Sequence, residues 1–389
     1  MRGTSMSAPS KGDRRVAAFG FRSIPSTAGC AGADKFAAEL LPRLAARGFE
    51  VTGYNRLYPG QISGPREFRH VQLRYFRTVR RRGFDTLLHS ARVTYDILRN
   101  DTADIVHIQN GGNSVFGVVL RLFGKKVFLS QDGVDWKRDK WPWYGKFFLR
   151  LSTYLTAFGP HMVIFDNVFA RRWFEDRFAS AKHRFAFIPF GSEIDSDVSE
   201  TGVLTELGLD PQQYFLFVGR FIPDKGLHYL IAAFEGLDTD KKLVLVGGAP
   251  NPSPYEQKLR ATRDSRIVFP GFRYGADMHT LMKHAYAYVQ PSDIEGLSPV
   301  ILENMALGTP VICSDIQENV FVVEETAMTF RRGDVAHLRE VLGYALTTPT
   351  RLTANAECAR MRAREKFSWD AVVDEHLKLF GAVTRFDRS

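Results

Sequence analysis

Short apolar runs alternate with amphipathic stretches along most of this chain. In its first half, residues 16–21, 51–54, 105–108, 127–130, 162–165 and 185–188 are compact apolar runs of strand length. Between them, 34–47, 85–99, 115–123, 144–158 and 168–178 carry helical patterns. Strands that alternate with helices in this way predict an α/β chain whose parallel sheets are covered on both faces. The alternation stops over 189–211, a polar, acidic stretch containing Gly191, Gly202 and Gly208. It restarts with runs at 214–218, 243–246, 267–269, 287–289 and 311–313. The break predicts two doubly wound, Rossmann-like domains facing across a cleft, one over 14–192 and one over 213–368, joined by a linker over 193–212. In such sheets ligands bind beyond the carboxyl ends of the strands, so the loops that follow the strands are where chemistry is expected.

Composition changes this picture in one respect. The 389 residues are 44% hydrophobic and 24% charged, ordinary globular usage that excludes global disorder. The net charge of +9, however, is divided unevenly. Residues 1–192 hold 31 Lys+Arg against 15 Asp+Glu, and residues 193–389 hold 21 against 28. A basic half joined to an acidic half predicts that only one domain meets an anionic partner: nucleic acid, an anionic membrane surface or a phosphorylated acceptor. Cys30, Cys313 and Cys358 are scattered and show no CxxC spacing, which argues against a disulfide framework or a structural zinc and for a reducing, cytoplasmic setting. Residues 1–15 lack the apolar stretch of a signal peptide, and the most apolar window, 147–165, is interrupted by Arg150 and His161, so no spanning helix is expected.

Two motifs carry candidate chemistry. In the first, a strand-like run ends at Gly219, and Arg220 and Lys225 follow before Gly226 and the next helix. Two cations at a strand's carboxyl end suit a diphosphate, Arg220 as a bidentate donor and Lys225 as a point charge. The GxxxxGK[ST] spacing of a P-loop is absent. In the second, the run at 287–289 leads through Gln290, Glu295 and Gly296 to Ser298, a good N-cap, and Pro299, a good first helical residue. Glu303 then falls one turn inside the helix, and Gly308 ends it. The helix start is an anion site, and Glu295 and Glu303 bracket it with groups able to accept from sugar hydroxyls.

Taken together, Gly219-Arg220-x4-Lys225-Gly226 and Glu295-x7-Glu303, about 70 residues apart and followed by Met305-Ala306-x-Gly308-x-Pro310, resemble the retaining glycosyltransferases of family 4, which have the GT-B fold. The stretch from Asp132 and Gly133 through Trp136-Lys137-Arg138 to Trp141 looks like that of a bacterial subgroup that includes surface-polysaccharide rhamnosyltransferases. The Asp293-Ile294-Glu295-Gly296 element is the general family form rather than that subgroup's Gly-rich variant. Phe367-Ser368-Trp369 is similar to the family's C-terminal motif, after which a helix, here 369–384, crosses back to the N-terminal domain. The resemblance implies a metal-independent enzyme with no cofactor. It would move a hexosyl or deoxyhexosyl group from a UDP-, GDP- or dTDP-sugar to a hydroxyl of a polyprenyl-diphosphate-linked glycan, at the inner face of the plasma membrane. It further implies that Arg220 and Lys225 neutralise the diphosphate with the backbone of Leu297 and Ser298. Glu303 would accept from the ribose, Glu295 hold the sugar, Gly219 and Gly247 line the nucleotide, and Phe272 and Arg273 frame the base. On the acceptor side, it points to Gly29 and Gly32 in the first loop, to His89, and to Asp132 as a positioning carboxylate.

Other features compete. Seven arginines between Arg66 and Arg82 are interleaved with Phe68, Tyr75 and Phe76, a pattern able to hold nucleic acid or an anionic bilayer; in this context the bilayer is the expectation. Asp195-Ser196-Asp197 and Asp238-Thr239-Asp240 spell Asp-x-Asp, yet neither closes an apolar strand as a metal site of that kind requires. Glycosylation of a soluble small molecule and plain nucleic-acid binding stand as the alternative functions.

Overall fold

The computed structural model describes residues 14–25, 32–81, 83–131, 143–192, 202–248 and 253–386. Gly29, Asp132 and the 195–197 cluster lie outside them. The chain divides into two compact units, one running to Phe190 and resuming at Val372, the other spanning Gly191–Ala371.

In the first unit the elements are β1 (Arg15–Phe19), α1 (Gly32–Ala46), β2 (Glu50–Leu57), β3 (Glu67–Phe68), β4 (Val71–Arg77), α2 (Phe84–Asn100), β5 (Ile105–Gln109), α3 (Ser114–Leu122), β6 (Lys126–Gln131), α4 (Trp143–Phe158), β7 (Met162–Phe165), α5 (Val168–Arg177) and β8 (Phe185–Phe187). Among the described residues the strands form one sheet in the order β3-β4-β2-β1-β5-β6-β7-β8. Every pairing is parallel except the β3–β4 hairpin at the edge. The inner strands are buried along almost their whole length, as strands covered on both faces must be. Their side chains, with Val93 and Ile97 of α2 and Phe174 of α5, form the core. Local chemistry sets the helix starts: Asn167 caps α5 by accepting from the amides of Phe169 (2.8 Å) and Ala170 (3.1 Å).

The second unit holds α6 (Gly202–Glu206), β9 (Tyr214–Arg220), α7 (Leu227–Glu235), β10 (Lys242–Gly248), α8 (Pro254–Arg260), β11 (Ile267–Gly271), α9 (Gly275–Lys283), β12 (Ala287–Gln290), α10 (Pro299–Leu307), β13 (Val311–Ser314), α11 (Gln317–Val323), β14 (Met328–Phe330), α12 (Val335–Thr347) and α13 (Pro349–Lys366). Its sheet is fully parallel, in the order β11-β10-β9-β12-β13-β14. The core is built from Phe215, Phe217, Leu230, Phe234, Leu243, Leu245 and Val289 among others. The final helix, α14 (Trp369–Phe386), starts in this unit and from Val372 onward belongs to the first. There His376 packs against Phe36 and His107, and Phe380 against Phe49 and Phe128.

Two stretches differ from the expectation. Residues 202–206, placed in the linker, are helical, because Val203 and Leu204 are apolar enough to be buried. The arginine-rich stretch holds the β3–β4 edge hairpin and runs on past β4: Val71 and Leu73 point into the core while Gln72 and Arg74 face out. Some of its cations have structural employment. Arg74 is paired with Asp96, and Arg80 donates to the Pro59 carbonyl at 3.3 Å.

Candidate functional site

In a doubly wound sheet the strand order reverses at one point, and the loops leaving the two strands on either side diverge to open a ligand crevice. In the second unit this point lies between β9 and β12. Both sequence motifs leave from it. Arg220 ends β9, and the 291–298 segment leaves β12 and runs into α10.

Glycines fix the floor. Gly247 of β10 lies opposite Gly219 of β9, and a Cβ on Gly247 would stand 1.9 Å from the Gly219 carbonyl oxygen. The Gly247 φ of 129° is itself open only to glycine without strain. Gly226 (φ 65°) plays the same part between the two motif loops, since a Cβ there would stand 2.0 Å from the Pro291 carbonyl oxygen. The Asp293 amide donates to the Asp224 carbonyl at 2.9 Å, so the loops are locked together by backbone.

Onto this frame the side chains converge. Lys225 Nζ donates to Glu295 Oε1 at 2.5 Å. The same oxygen accepts from Ser292 Oγ at 2.6 Å and from Gln290 Nε2 at 3.0 Å. Three donors on Oε1 hold the carboxylate in place. Gln290 is in turn fixed through its own oxygen, which accepts from Tyr288 Oη (2.7 Å) and from the N-cap Ser298 Oγ (2.9 Å). Ser298 also accepts from the Ile301 amide, Pro299 opens the helix, and Gly308 ends it with a φ of 74°. Glu303 lies one turn into α10, half-buried. Burial raises the Tyr288 hydroxyl well above its ordinary value, and the charges of Glu295 and Glu303 raise it further. Both carboxylates therefore act on the same buried end of β12. Arg220 is exposed, and its guanidinium has no protein partner among the described residues. Leu297, half-buried, sits in the loop between them.

At the far side of the sheet, Phe272 follows β11 and lies half exposed beside Gly248, whose added Cβ would approach its ring at 3.1 Å. Tyr274, also exposed, lies parallel to it with ring centroids 6.3 Å apart. Arg273 turns away from this pair. Its guanidinium grips Glu206 of α6 at 2.6 and 3.1 Å, with Asp277 at 3.7 Å. Sequence reasoning missed Tyr288, Ser292 and Tyr274 as parts of the site, and it quoted Gln290 without a role. The signal available was a polar residue closing a buried apolar strand.

In the first unit the candidates are less convergent. His89 is wholly buried, with Nε2 3.2 Å from the Asn55 carbonyl, and burial pushes its pKa down to about 3. It is a neutral core histidine on α2, beside the Arg56–Asp85 ion pair. Gly32 opens α1 with nothing within 4 Å of an added Cβ, so packing does not require a glycine there. The reversal point of this sheet, between β1 and β5, is marked by other residues. Gly20 has a φ of 106° and approaches Gln109 so closely that a Cβ would stand 2.1 Å from its carbonyl oxygen. The Gln109 amide is buried, with neither of its side-chain polar atoms partnered among the described residues. The described residues contain no group of three His, Cys, Asp or Glu able to hold a metal ion. Asp238 and Asp240 lie near Arg266, whose charged form they help stabilise.

Two units of this kind, each a Rossmann-like sheet of parallel strands, make this a GT-B fold. A solved structure of Anabaena Alr3699/HepE in complex with UDP and glucose has a TM-score of 0.73 over 94% of this chain and 99% of that one, at 17% identity. Residues 212–347 match the family described as Glycosyl transferases group 1. Two curated relatives are an alpha-maltose-1-phosphate synthase of Mycolicibacterium smegmatis and an O-antigen chain mannosyltransferase B of Escherichia coli. The first is 28% identical over 48% of this chain and 52% of its own length. The second is 30% identical over 36% of this chain and 39% of its own length. The matched region thus spans about half, or less, of these relatives.

Proposed function

We propose that the protein is a retaining glycosyltransferase that moves a sugar from a nucleoside diphosphate to a hydroxyl of a glycan acceptor in surface-polysaccharide assembly. The observation that carries this is the meeting of Arg220 and Lys225 with Glu295 and Glu303 at the reversal point of the second sheet. Arg220, free of protein partners, takes the diphosphate, and Lys225 turns to it from Glu295. The Oε2 of Glu295 receives a hydroxyl of the transferred sugar, and Glu303 those of the ribose. Phe272, with Tyr274, offers an apolar face to the base, while Arg273 serves as a structural clamp to Glu206. The anomeric carbon's bond to the phosphate oxygen breaks as the bond to the acceptor oxygen forms on the same face, and the departing phosphate takes the acceptor's proton. No protein nucleophile is needed, and stabilisation of the leaving diphosphate is the main catalytic contribution.

UDP is the first nucleotide to test, because the HepE neighbour is in complex with it. Melting of the protein is followed with UDP, GDP, ADP and dTDP, and turnover of the corresponding sugar donors is measured for wild type and Glu295→Gln. The expected result is one nucleotide that raises the melting temperature of both proteins alike, with turnover lost in the variant. Unchanged turnover in a folded Glu295→Gln protein would remove that residue from the mechanism. Activity on a soluble aglycone with none on a glycan would replace the acceptor class.

A further inference from the structure

Helix α4 is built inside out. Its buried residues are small: Ser152, Thr156 and Ala157. Five large apolar residues, Trp143, Phe147, Leu151, Tyr154 and Phe158, are between 47% and 80% exposed, while Phe148, Leu149 and Leu155 are half-buried. At 100° per residue they fall within an arc of about 80°, a continuous stripe along a helix about 24 Å long. Leu122 and Phe123, also exposed, extend the patch at the end of α3. They lie beside its far end because Arg121 Nη1 donates to the carbonyls of Phe158 (3.2 Å) and Gly159 (3.1 Å). A contiguous apolar surface of this kind marks an interaction site.

Its charged surroundings select the partner. Arg177 donates to Tyr154 Oη at 3.2 Å and Arg184 to the Phe158 carbonyl at 2.8 Å, so with Arg121 three guanidiniums ring the stripe's carboxyl end. Burial and the neighbouring Arg121 cation lower the Arg184 guanidinium from its ordinary value. Lys146 and Arg150 fall along one flank of the stripe by helical spacing. Residues 143–185 hold seven Lys+Arg against three Asp+Glu, the latter being Asp166, Glu175 and Asp176. A second copy docked by twofold symmetry would bring the same cations face to face. Aromatic and aliphatic side chains on one helix face, rimmed by cations, instead match the interface of an anionic bilayer, where the rings enter the headgroup boundary and the cations meet lipid phosphates. None of the described helices is long and apolar enough to cross a membrane, so this would be a surface contact.

We infer that α4, with the end of α3, is the surface by which this protein lies on an anionic lipid membrane, in place of the arginine-rich β3–β4 hairpin. The inference is independent of the transfer reading, since vesicle binding needs no turnover. The full chain is sedimented with vesicles of phosphatidylcholine alone and of phosphatidylcholine with phosphatidylglycerol. Wild type, the double variant Phe147→Ser/Leu151→Ser and the hairpin variant Arg69→Glu/Arg77→Glu are compared, with matched melting curves as the check on folding. Wild type is expected to bind the anionic vesicles, less so as salt rises. Loss of two large apolar contacts should weaken binding tenfold or more, on the order of what burying such side chains contributes, while the hairpin variant keeps most of it. Should the double variant fail to fold, brominated phosphatidylglycerol is used on wild type, where a quenched tryptophan component lost in Trp143→Phe supports the same surface. No binding by wild type, undiminished binding by the double variant, loss confined to the hairpin variant, or self-association that the double variant abolishes would each overturn the inference.

Discussion

Arg220 and Lys225 are separable in a way that tests the donor site directly. Arg220 is exposed and carries no protein partner among the described residues, so Arg220→Ala removes nothing the folded state uses. If it binds a diphosphate, its loss removes charge-assisted hydrogen bonds of about 1.5–3 kcal/mol, equivalent to a Kd raised about 10- to 150-fold. Lys225 is different, because it is 21% exposed and holds Glu295, which is 8% exposed. Removing one partner of a fully buried pair costs about 3–5 kcal/mol. Here Ser292 and Gln290 continue to donate to the same oxygen, and Lys225 is partly solvated. The expected loss is therefore nearer 1–3 kcal/mol, a fall of about 2–10 °C in Tm for a domain of this size. Calorimetric titration with the nucleotide that stabilises wild type gives the Kd, and melting without ligand gives the stability. Arg220→Ala should change only the first and Lys225→Ala both. If Arg220→Ala binds the nucleotide as wild type does, the diphosphate does not lie against the end of β9, and the site reading fails.

Two further predictions concern the frame around the site. Gly247→Ala should destabilise by about 1–3 kcal/mol or more, because its Cβ meets a backbone carbonyl. Gly248→Ala, which meets only the ring of Phe272 and a Glu256 oxygen, should cost clearly less; equal melting temperatures for the two would refute the packing argument. Acid should loosen the first unit early, because burial lowers His89 and His107 to about 3 and His376 to about 4. A histidine held neutral by the fold contributes its full stability above its unfolded pKa, about 6.5, and loses it as pH falls towards the folded value. The loss approaches about 1.4 kcal/mol per pH unit per histidine within that window. Urea melts should thus weaken between pH 6.5 and 5, well before carboxylates protonate, and His107→Gln with His376→Gln should flatten the slope; a flat wild-type profile would contradict their burial as neutral groups.

Where the physics is local, the sequence discloses the structure. Gly219, Arg220 and Lys225 sit within one turn, and Ser298, Pro299 and Gly308 carry the cap chemistry of one helix, so both motifs could be placed on their elements without coordinates. The partners that hold them are distant in the chain. Gln290 was visible as a polar residue after an apolar run, but its hold on Ser298 and Glu295 needs the loop's course. The family resemblance put Arg273 near the base, but Glu206, 67 residues away, claims it through a helix that the sequence hid in a linker. The three-residue β14 and the β3–β4 hairpin were too short, or too rich in arginine, to read as strands.

Helix α4 shows where the rule of apolar periodicity reverses. Its period was legible, and the usual reading assigns the apolar stripe to the core. In the structure the inner face packs on the turn at Gly111–Asn113. That contact draws two backbones together. Ser114 Oγ donates to the Ser152 carbonyl at 3.0 Å, Thr156 Oγ1 to the Gly111 carbonyl at 3.5 Å, and a Cβ on Gly112 would already lie 3.7 Å from the Leu149 side chain. Where helix and turn come closest the intervening side chains are small, Ser152 and Thr156, and a hydroxyl can replace the hydrogen bonds the buried carbonyls lose with water. Trp143, Phe147, Leu151, Tyr154 and Phe158 face outward instead, at the cost of their hydration. Such a cost persists in a sequence when something outside the chain relieves it. The cations around Phe158 and Tyr154 favour an anionic partner, which is why the inferred membrane contact is placed on the stripe rather than by the arginine count.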